Sequence, residues 1–230
     1  MNHITLVYPY FNNGTMLDLH LQEWNKYENK ETFSAIIVDD CSMKDPAEKH
    51  LIDVGFPISL YRITTDIPWN QNGARNLAMT HANGWCLITD IDHLLKRKHA
   101  KKFKDLKLEN EHYYKPHRKL HDGSNYHKHP NSYILNYDLY WKAGGYDEDF
   151  CGYYGTDSTF RRQLEKTAIE GETEIVLSLY GRNVISDAST IEYGRKNSKY
   201  HVSNNERLKY KRKHGGPPIP PLNFDWYKVC

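Results

Sequence analysis

The 230-residue sequence has no long run of apolar residues, and its mean hydropathy is −0.80. A membrane-spanning helix needs about 20 mostly apolar residues, so we expect none. The N-terminus also lacks a basic region followed by an apolar run and a cleavage site, because a strand pattern begins within the first four residues. From these absences we expect the protein to work in the cytoplasm.

Cysteine is scarce, and its spacing matches no known framework. The four cysteines, Cys41, Cys86, Cys151 and Cys230, form no C-x-x-C pair, which argues against a structural zinc site or a disulfide scaffold. Two nucleotide-binding signatures are missing as well. There is no G-x-G-x-x-G after the first strand pattern and no G-x-x-x-x-G-K-[ST] anywhere, so dinucleotide enzymes and P-loop NTPases are disfavoured.

Charge is small in total but unevenly distributed. The net charge is +2, whereas residues 96–129 and 194–214 each carry +7 and the rest of the chain carries −12. Such asymmetry favours a polyanionic partner or substrate, although two solvated basic faces remain the alternative. The six histidines of residues 99–129 match no common metal-site spacing, and we expect them at the surface.

Strand and helix patterns alternate through the first hundred residues. Strands are predicted at 4–8, 34–38, 58–63 and 85–88, and helices at 16–26 and 74–82. This rhythm predicts an α/β domain with a mostly parallel sheet and right-handed crossovers. Further strands are predicted at 132–136, 175–180 and 184–185, with short helices after 137 and 157.

Two carboxylates, Asp90 and Asp92, directly follow the fourth predicted strand. Ligands of open α/β sheets bind outside the carboxyl ends of the strands. Paired acids at that edge suit a hard divalent cation that also contacts substrate phosphates. The alternative is that the two acids only cap the strand or begin the next helix.

Two other groups follow the strand ends. Asp39 and Asp40 end the second strand pattern, where acids commonly accept hydrogen bonds from a ribose or base. Arg75 lies in the first turn of a helix, a suitable place for binding phosphate. Capping by the two acids and a surface ion pair for Arg75 remain the alternatives.

The segment from 141 to 157 is rich in glycine and aromatic residues. Its glycines allow close approach of a ligand to the backbone, and its tyrosines and Trp141 offer flat faces for stacking on sugars or bases. Asp157 begins a predicted helix, where it would either project into the enclosed space or act as the N-cap.

Taken together, these motifs resemble a GT-A glycosyltransferase of the inverting family 2 type, with a galactosyltransferase-like C-terminal half. The resemblance covers about residues 4–165. It rests on five segments in order: V-Y-P-Y-F-N at 7–12, I-V-D-D-C-S at 37–42, N-G-A-R-N at 72–76, D-I-D at 90–92, and the run 144–157.

The resemblance implies a GT-A fold, which is Rossmann-like with a mostly parallel central sheet flanked by helices. It implies a glycosyltransferase domain at 1–193, with a nucleotide-sugar half at about 1–95 and an acceptor half at about 96–193. The basic, proline-rich segment 194–230 is expected to pack on that domain.

The resemblance also implies residue roles. The implied donor-binding residues are Pro9, Tyr10, Phe11, Asp39, Asp40, Arg75 and Asp90. The implied ligands of Mn²⁺ or Mg²⁺ are Asp90, Asp92 and His201. The implied acceptor-binding residues are Trp141, Gly145, Tyr146 and Thr156. Asp157 lies where the family has its catalytic base, although the family's usual Glu-Asp pair is Thr156-Asp157 in this chain.

The implied activity is metal-dependent, inverting transfer of a sugar from a nucleotide sugar, expected to be a UDP-sugar, to an acceptor hydroxyl. The basic segments predict an anionic acceptor: a glycan, a phosphorylated lipid or DNA. The last case resembles phage-encoded enzymes that glycosylate a hydroxylated DNA base in the host cytoplasm. An alternative of another class is a GT-A fold that binds nucleic acid or glycan without catalysis.

Overall fold

A computed structural model of the chain describes residues 2–150, 157–189 and 222–230. Its strands and helices run in the following order: β1 Ile4–Tyr10, α1 Gly14–Asn25, β2 Phe33–Asp40, β3 Ile58–Ile63, α2 Gln71–His81, β4 Trp85–Ile88, β5 His93–Leu95, α3 Arg97–Ala100, β6 His112–Tyr114, β7 His117–Leu120, β8 Asn125–Tyr126, β9 Tyr133–Asn136, α4 Tyr137–Lys142, α5 Asp157–Thr167, β10 Ile169–Gly171, β11 Val176–Leu179 and β12 Trp226–Lys228.

The main sheet, as far as the chain is described, has eight strands in the order β10-β6-β9-β4-β1-β2-β3-β12. Its centre, β4-β1-β2-β3, is parallel, while β9 and β12 pair antiparallel with β4 and β3. The predicted α/β fold with a mostly parallel sheet is therefore confirmed. Because β1, β2 and β4 are parallel neighbours, the chain segments that follow them meet at one edge of the sheet.

Successive side chains of β1 point to opposite faces of the main sheet, and each face packs against a different helix. Leu6 and Tyr8 belong to one buried cluster with Trp24 of α1, and Val7 belongs to another with Leu77 of α2. All of these side chains are fully buried, and burial of a large apolar side chain stabilises a protein by about 1.5–3 kcal/mol. The central sheet is thereby covered on both faces, as its continuous apolar strands require.

A second, four-stranded sheet has the order β5-β11-β7-β8. The sequence predicted no strand at 96–131, where β6, β7 and β8 form. These strands have only two to four residues and consist largely of His, Lys, Arg and Tyr, so they are too short for a recognisable alternation. The predicted strand at 184–185 was wrong, because those two residues lie in a turn closed by hydrogen bonds to Gly181.

The end of the chain is attached to the main domain at two places. β12 pairs with β3, and the Trp226 ring packs edge-on against Tyr61 and His81. The backbone N–H groups of Leu222 and Asn223 donate hydrogen bonds to the Glu148 carboxylate. The basic part of the predicted segment, 194–221, lies outside the described residues. No helix in the described ranges is long and apolar enough to cross a membrane.

Candidate active site

A cavity of about 260 Å³ opens at the carboxyl ends of β1, β2 and β4. It is the kind of crevice in which open α/β sheets bind ligands. Of the residues predicted from sequence, its lining includes Pro9, Tyr10, Phe11, Asp40, Asp90 and Asp92. Fold topology thus brings these six predicted residues together although the first and last are 83 positions apart in sequence.

The backbone around this cavity is held in an uncommon conformation. Asn12, Cys41 and Trp69 all line the cavity, and their φ angles are 52°, 58° and 61°. Positive φ is unfavourable for residues other than glycine and tends to cluster at functional sites. Asn12 shows how it is stabilised here, because its side-chain oxygen accepts hydrogen bonds from the backbone N–H groups of Lys44 and Asp45.

The two acids at the end of β2 have different surroundings. Asp39 is fully buried, and its carboxylate accepts hydrogen bonds from the N–H groups of Ser42 and Ala47 at 2.7 and 3.0 Å. It therefore organises the loop after β2, and its contact with a donor stays a prediction. Asp40 lines the cavity and accepts a hydrogen bond from the N–H of Asn70 at 3.2 Å. Burial raises the pKa of Asp40 to about 7.

Asp90 is paired with a buried cation. The Arg75 guanidinium, which is 0% exposed, donates to Asp90 Oδ1. The Tyr146 ring lies against Arg75, with 4.9 Å between the guanidinium carbon and the ring centroid. On the other side, His129 Nε2 lies 3.5 Å from Asp90 Oδ2. Arg75 and Asp90 therefore form one unit, which neither residue revealed in the sequence.

Asp92 is contacted by an imidazole instead. His93 Nδ1 lies 2.5 Å from Asp92 Oδ1, and Arg118 Nη1 lies 3.2 Å from His93 Nε2. Between the two acids, the carbonyl oxygen of Ile91 accepts a hydrogen bond from the Nε2 of buried His20 at 2.7 Å. The loop carrying the acids is thus fixed from several elements.

The basic segment 96–129 contributes two largely buried side chains, His129 and Arg118, to this site. His121 and His127 are exposed as expected, but the His129 side chain is only 13% exposed and Arg118 is 6% exposed. Burial, followed by the nearby charges of His93, Arg118 and Arg75, lowers the pKa of His129 well below its ordinary value. The expectation of surface histidines was therefore wrong for His129.

Several lysines of the same segment are paired with acids of a neighbouring stretch. Lys115 and Lys128 lie within 3.7 Å of the Glu170 carboxylate, and Lys102 pairs with Glu174. Part of this basic surface is thus neutralised by acids that follow α5.

The chemistry of the two acids fits a divalent cation. Carboxylate oxygens are the ligands that Mg²⁺ and Mn²⁺ prefer, and Asp92 lies on the cavity with 19% of its side chain exposed. Within the described ranges, no three His, Cys, Asp or Glu side chains are arranged to hold a metal ion. A cation here would need additional oxygens, such as those of a bound diphosphate. His201 lies outside the described residues.

Of the predicted acceptor residues, Tyr146 lies against Arg75. Gly145 has a φ of 65°, and its N–H donates to the Tyr140 carbonyl at the end of α4. Trp141 packs edge-on against Tyr140, while Tyr146 is 2% exposed and packs on Phe160. Their contact with an acceptor stays a prediction. Thr156 lies outside the described residues, and Asp157 is described only as the first residue of α5.

Comparison with known proteins identifies the fold. No protein-family model and no curated protein sequence matches the chain. Among solved structures, residues 1–349 of S. aureus TarS give a TM-score of 0.62 at 16% identity over 81% of this chain. The mannosyltransferase PcManGT from Pyrobaculum calidifontis, in complex with GDP-Man and Mn²⁺, gives 0.59 at 16% identity over 83%. GalNAc-T7 with UDP, GalNAc and Mn²⁺ gives 0.61 at 11% identity over 91%.

These likenesses establish the fold. The matched regions make up 63%, 58% and 48% of the TarS, PcManGT and GalNAc-T7 chains, so this chain spans less than two thirds of each. The chain has the fold of GT-A glycosyltransferases, as the motifs predicted from sequence.

Proposed function

We propose that the protein transfers a sugar from a nucleoside diphosphate sugar to an acceptor hydroxyl. The observation that carries this proposal is the position of Asp90, Asp92 and the buried Arg75 at the cavity edge of β4 in a GT-A fold. A crystal structure of TarS contains UDP, and the structure of PcManGT is a complex with GDP-Man and Mn²⁺. A UDP-sugar is the donor that we expect first.

The residues at the cavity would share the work of binding the donor. The lining residues Pro9, Tyr10 and Phe11 would hold the nucleoside, with Asp40 as the polar group beside it. Arg75 would hold Asp90 in place and provide positive potential where the leaving diphosphate gains charge. A divalent ion at Asp92, when bound, would supply further charge neutralisation at the phosphates.

The acceptor hydroxyl needs a base, and Asp157 is our assignment from its position at the start of α5. It would take the proton of the attacking hydroxyl as that oxygen forms a bond to the anomeric carbon and the bond to the diphosphate oxygen breaks. A single displacement from the opposite face inverts the anomeric configuration. The products are a glycosylated acceptor and a nucleoside diphosphate.

An anionic acceptor is proposed from charge. Residues 96–129 carry +7, and only some of their lysines are paired with Glu170, Glu172 and Glu174. A glycan, a phosphorylated lipid and DNA with a hydroxylated base would all satisfy this charge. DNA is distinguished by the steep loss of affinity with salt that accompanies counterion release.

The test measures binding and turnover on the full chain. UDP with Mn²⁺ at about one hundred times its Kd should stabilise the protein by about 2.7 kcal/mol in thermal unfolding. UDP-sugar hydrolysis should be detectable and should vanish in Asp92→Asn. The exposed Asp105→Asn, outside the cavity lining, is the matched control.

Two results would reject the proposal in different ways. No stabilisation by any nucleoside diphosphate would remove the donor site altogether. Binding of UDP without any hydrolysis or transfer would instead support a GT-A fold that serves as a glycan- or nucleic-acid-binding module.

A further inference from the structure

A continuous chain of contacts runs from the protein surface to Asp92. The exposed Tyr126 ring covers Arg118, with 4.6 Å between the guanidinium carbon and the ring centroid. Arg118 Nε donates to the carbonyl of His127 at 2.8 Å, and Arg118 Nη1 donates to His93 Nε2 at 3.2 Å. His93 then reaches Asp92 at 2.5 Å.

The hydrogen-bond partners determine which tautomer His93 adopts. A guanidinium only donates, so His93 Nε2 must accept the hydrogen bond from Arg118. The ring proton is then on Nδ1, which donates it to Asp92 Oδ1. Both ring nitrogens of His93 are therefore engaged, Nε2 with Arg118 and Nδ1 with Asp92.

The second sheet provides the scaffold for this arrangement. His93 lies on β5 and Arg118 on β7, and both strands pair with β11, where their partners are Leu179 and Leu177. Both side chains are buried, with exposures of 1% and 6%. Buried groups on paired strands have little freedom to reorient, so Arg118 fixes the His93 ring and the ring holds the carboxylate that it contacts in a defined direction.

The arrangement differs from that at Asp90, where a cation contacts the carboxylate directly. Direct contact with Arg75 compensates the charge of Asp90. At Asp92 an imidazole ring makes the direct contact, and the Arg118 guanidinium lies one ring farther away. Asp92 is therefore oriented by a ring that reaches one of its two oxygens, while its carboxylate lies on the cavity.

We propose that His93 and Arg118 are positioning residues that hold Asp92 as the cation ligand of this site, with Arg118 acting through the His93 ring. This inference rests on the proposed function, because it assumes a nucleotide-bound cation at Asp92. It assigns β5 and β7 of the second sheet a role in cation binding, and it makes Asp92 the principal protein ligand among the two acids.

The test is a Mn²⁺ titration of the full chain with UDP present, following free Mn²⁺ by electron paramagnetic resonance. His93→Leu should weaken Mn²⁺ binding by about 10- to 100-fold, the usual effect of losing a group that orients a ligand. His93→Asn, whose amide nitrogen replaces Nδ1 as a donor, should restore most of the affinity. Arg118→Met, which acts indirectly, should weaken Mn²⁺ binding by about 10-fold.

Two controls separate positioning from general damage. His117→Leu replaces an exposed histidine of β7 and should leave Mn²⁺ affinity unchanged. UDP binding without metal, measured by calorimetry, should be the same in all four variants. If His93→Leu does not fold, His93→Asn compared with Arg118→Met carries the test.

The outcomes distinguish this inference from the proposed function. Unchanged Mn²⁺ affinity in folded His93→Leu and Arg118→Met would overturn the inference and leave the transferase proposal standing. Loss of metal-free UDP binding together with Mn²⁺ binding would also overturn it, because the effect would then be general. A wild-type chain that binds neither UDP nor Mn²⁺ would overturn both.

Discussion

The two sides of the loop after β4 are built differently. On one side, Asp90 contacts the buried cation Arg75, which lies on helix α2 and packs against Tyr146. On the other side, Asp92 contacts the imidazole ring of His93, which belongs to the second sheet. The two acids therefore differ in their direct partner, a buried guanidinium for Asp90 and an imidazole for Asp92.

This difference shows that the two acids are held in different ways, although both line the cavity. Asp90 forms an ion pair with a fully buried cation, whereas Asp92 has a hydrogen-bonding contact with an imidazole. Truncation of each acid should therefore affect different properties.

The largest effect is expected on the free energy of unfolding when each of the two acids is replaced by alanine. Asp90→Ala leaves the Arg75 charge buried without its carboxylate, and loss of one partner of a buried pair costs about 3 kcal/mol. Asp92→Ala removes a hydrogen bond at a partly exposed carboxylate and should cost about 1 kcal/mol. Urea denaturation at pH 7 measures both, and equal losses would contradict the comparison.

The stabilisation that His20 gives to the loop between Asp90 and Asp92 should decrease at low pH. Burial lowers the pKa of His20 to about 4, below its unfolded value of about 6.5. Its contribution to stability is therefore complete above pH 6.5 and decreases as pH falls toward 4. We expect a loss of about 2 kcal/mol between pH 7 and pH 5 from this residue. Urea titrations of wild type and His20→Gln at both pH values test this, because the variant should lose less.

The close packing on the Asp90 side can be tested at a glycine. A Cβ at Gly145, where φ is 65°, would lie 2.9 Å from the Trp141 ring and 3.0 Å from the Asn76 side-chain oxygen. Gly145→Ala should cost about 2 kcal/mol. Gly123→Ala, with positive φ but open space around it, isolates the backbone part and should cost about 1 kcal/mol. Equal losses in thermal unfolding would indicate that the packing at Gly145 adds nothing.

The smallest effect is expected from His50, which follows β2 and should contribute a weak pH dependence to the free energy of unfolding. His50 bridges Asp18 and Asp45 at 2.8 and 2.9 Å. Although burial alone would lower the pKa of His50, the hydrogen bonds to Asp45 and Asp18 raise it overall. Its contribution is therefore present below pH 6.5 and is lost as pH rises through the elevated value. Because both acids are largely solvated, we expect less than about 1 kcal/mol. His50→Gln should flatten this pH dependence in urea titrations, and an unchanged slope would refute the bridge.

Much of the fold followed from local sequence patterns. The apolar runs predicted β3 and β4 at their observed bounds and placed α2 within three residues. Because Asp90 and Asp92 come directly after β4, their position at the sheet edge required only the strand and its direction. Pro9, Tyr10 and Phe11, which were expected at a pocket from the resemblance to GT-A glycosyltransferases, do line the cavity.

Other parts of the site had no local signal. Asp39 and Asp40 are adjacent acids in sequence, yet the observed loop buries one under backbone N–H groups and turns the other toward the cavity. The positive φ angles of Asn12, Cys41 and Trp69 have no pattern of their own, because none of these residues is glycine.

The sequence by itself therefore determined the α/β core, the sheet edge at which the cavity opens and the acids at that edge, because apolar periodicity and strand ends are local properties. Only the tertiary structure decided which cations and rings contact those acids. His93 and Arg118 lie on the short strands β5 and β7, whose positions depend on pairing with the distant strand β11. That pairing buries the Arg118 side chain, which composition alone would place in solvent, and it brings the His93 imidazole against Asp92.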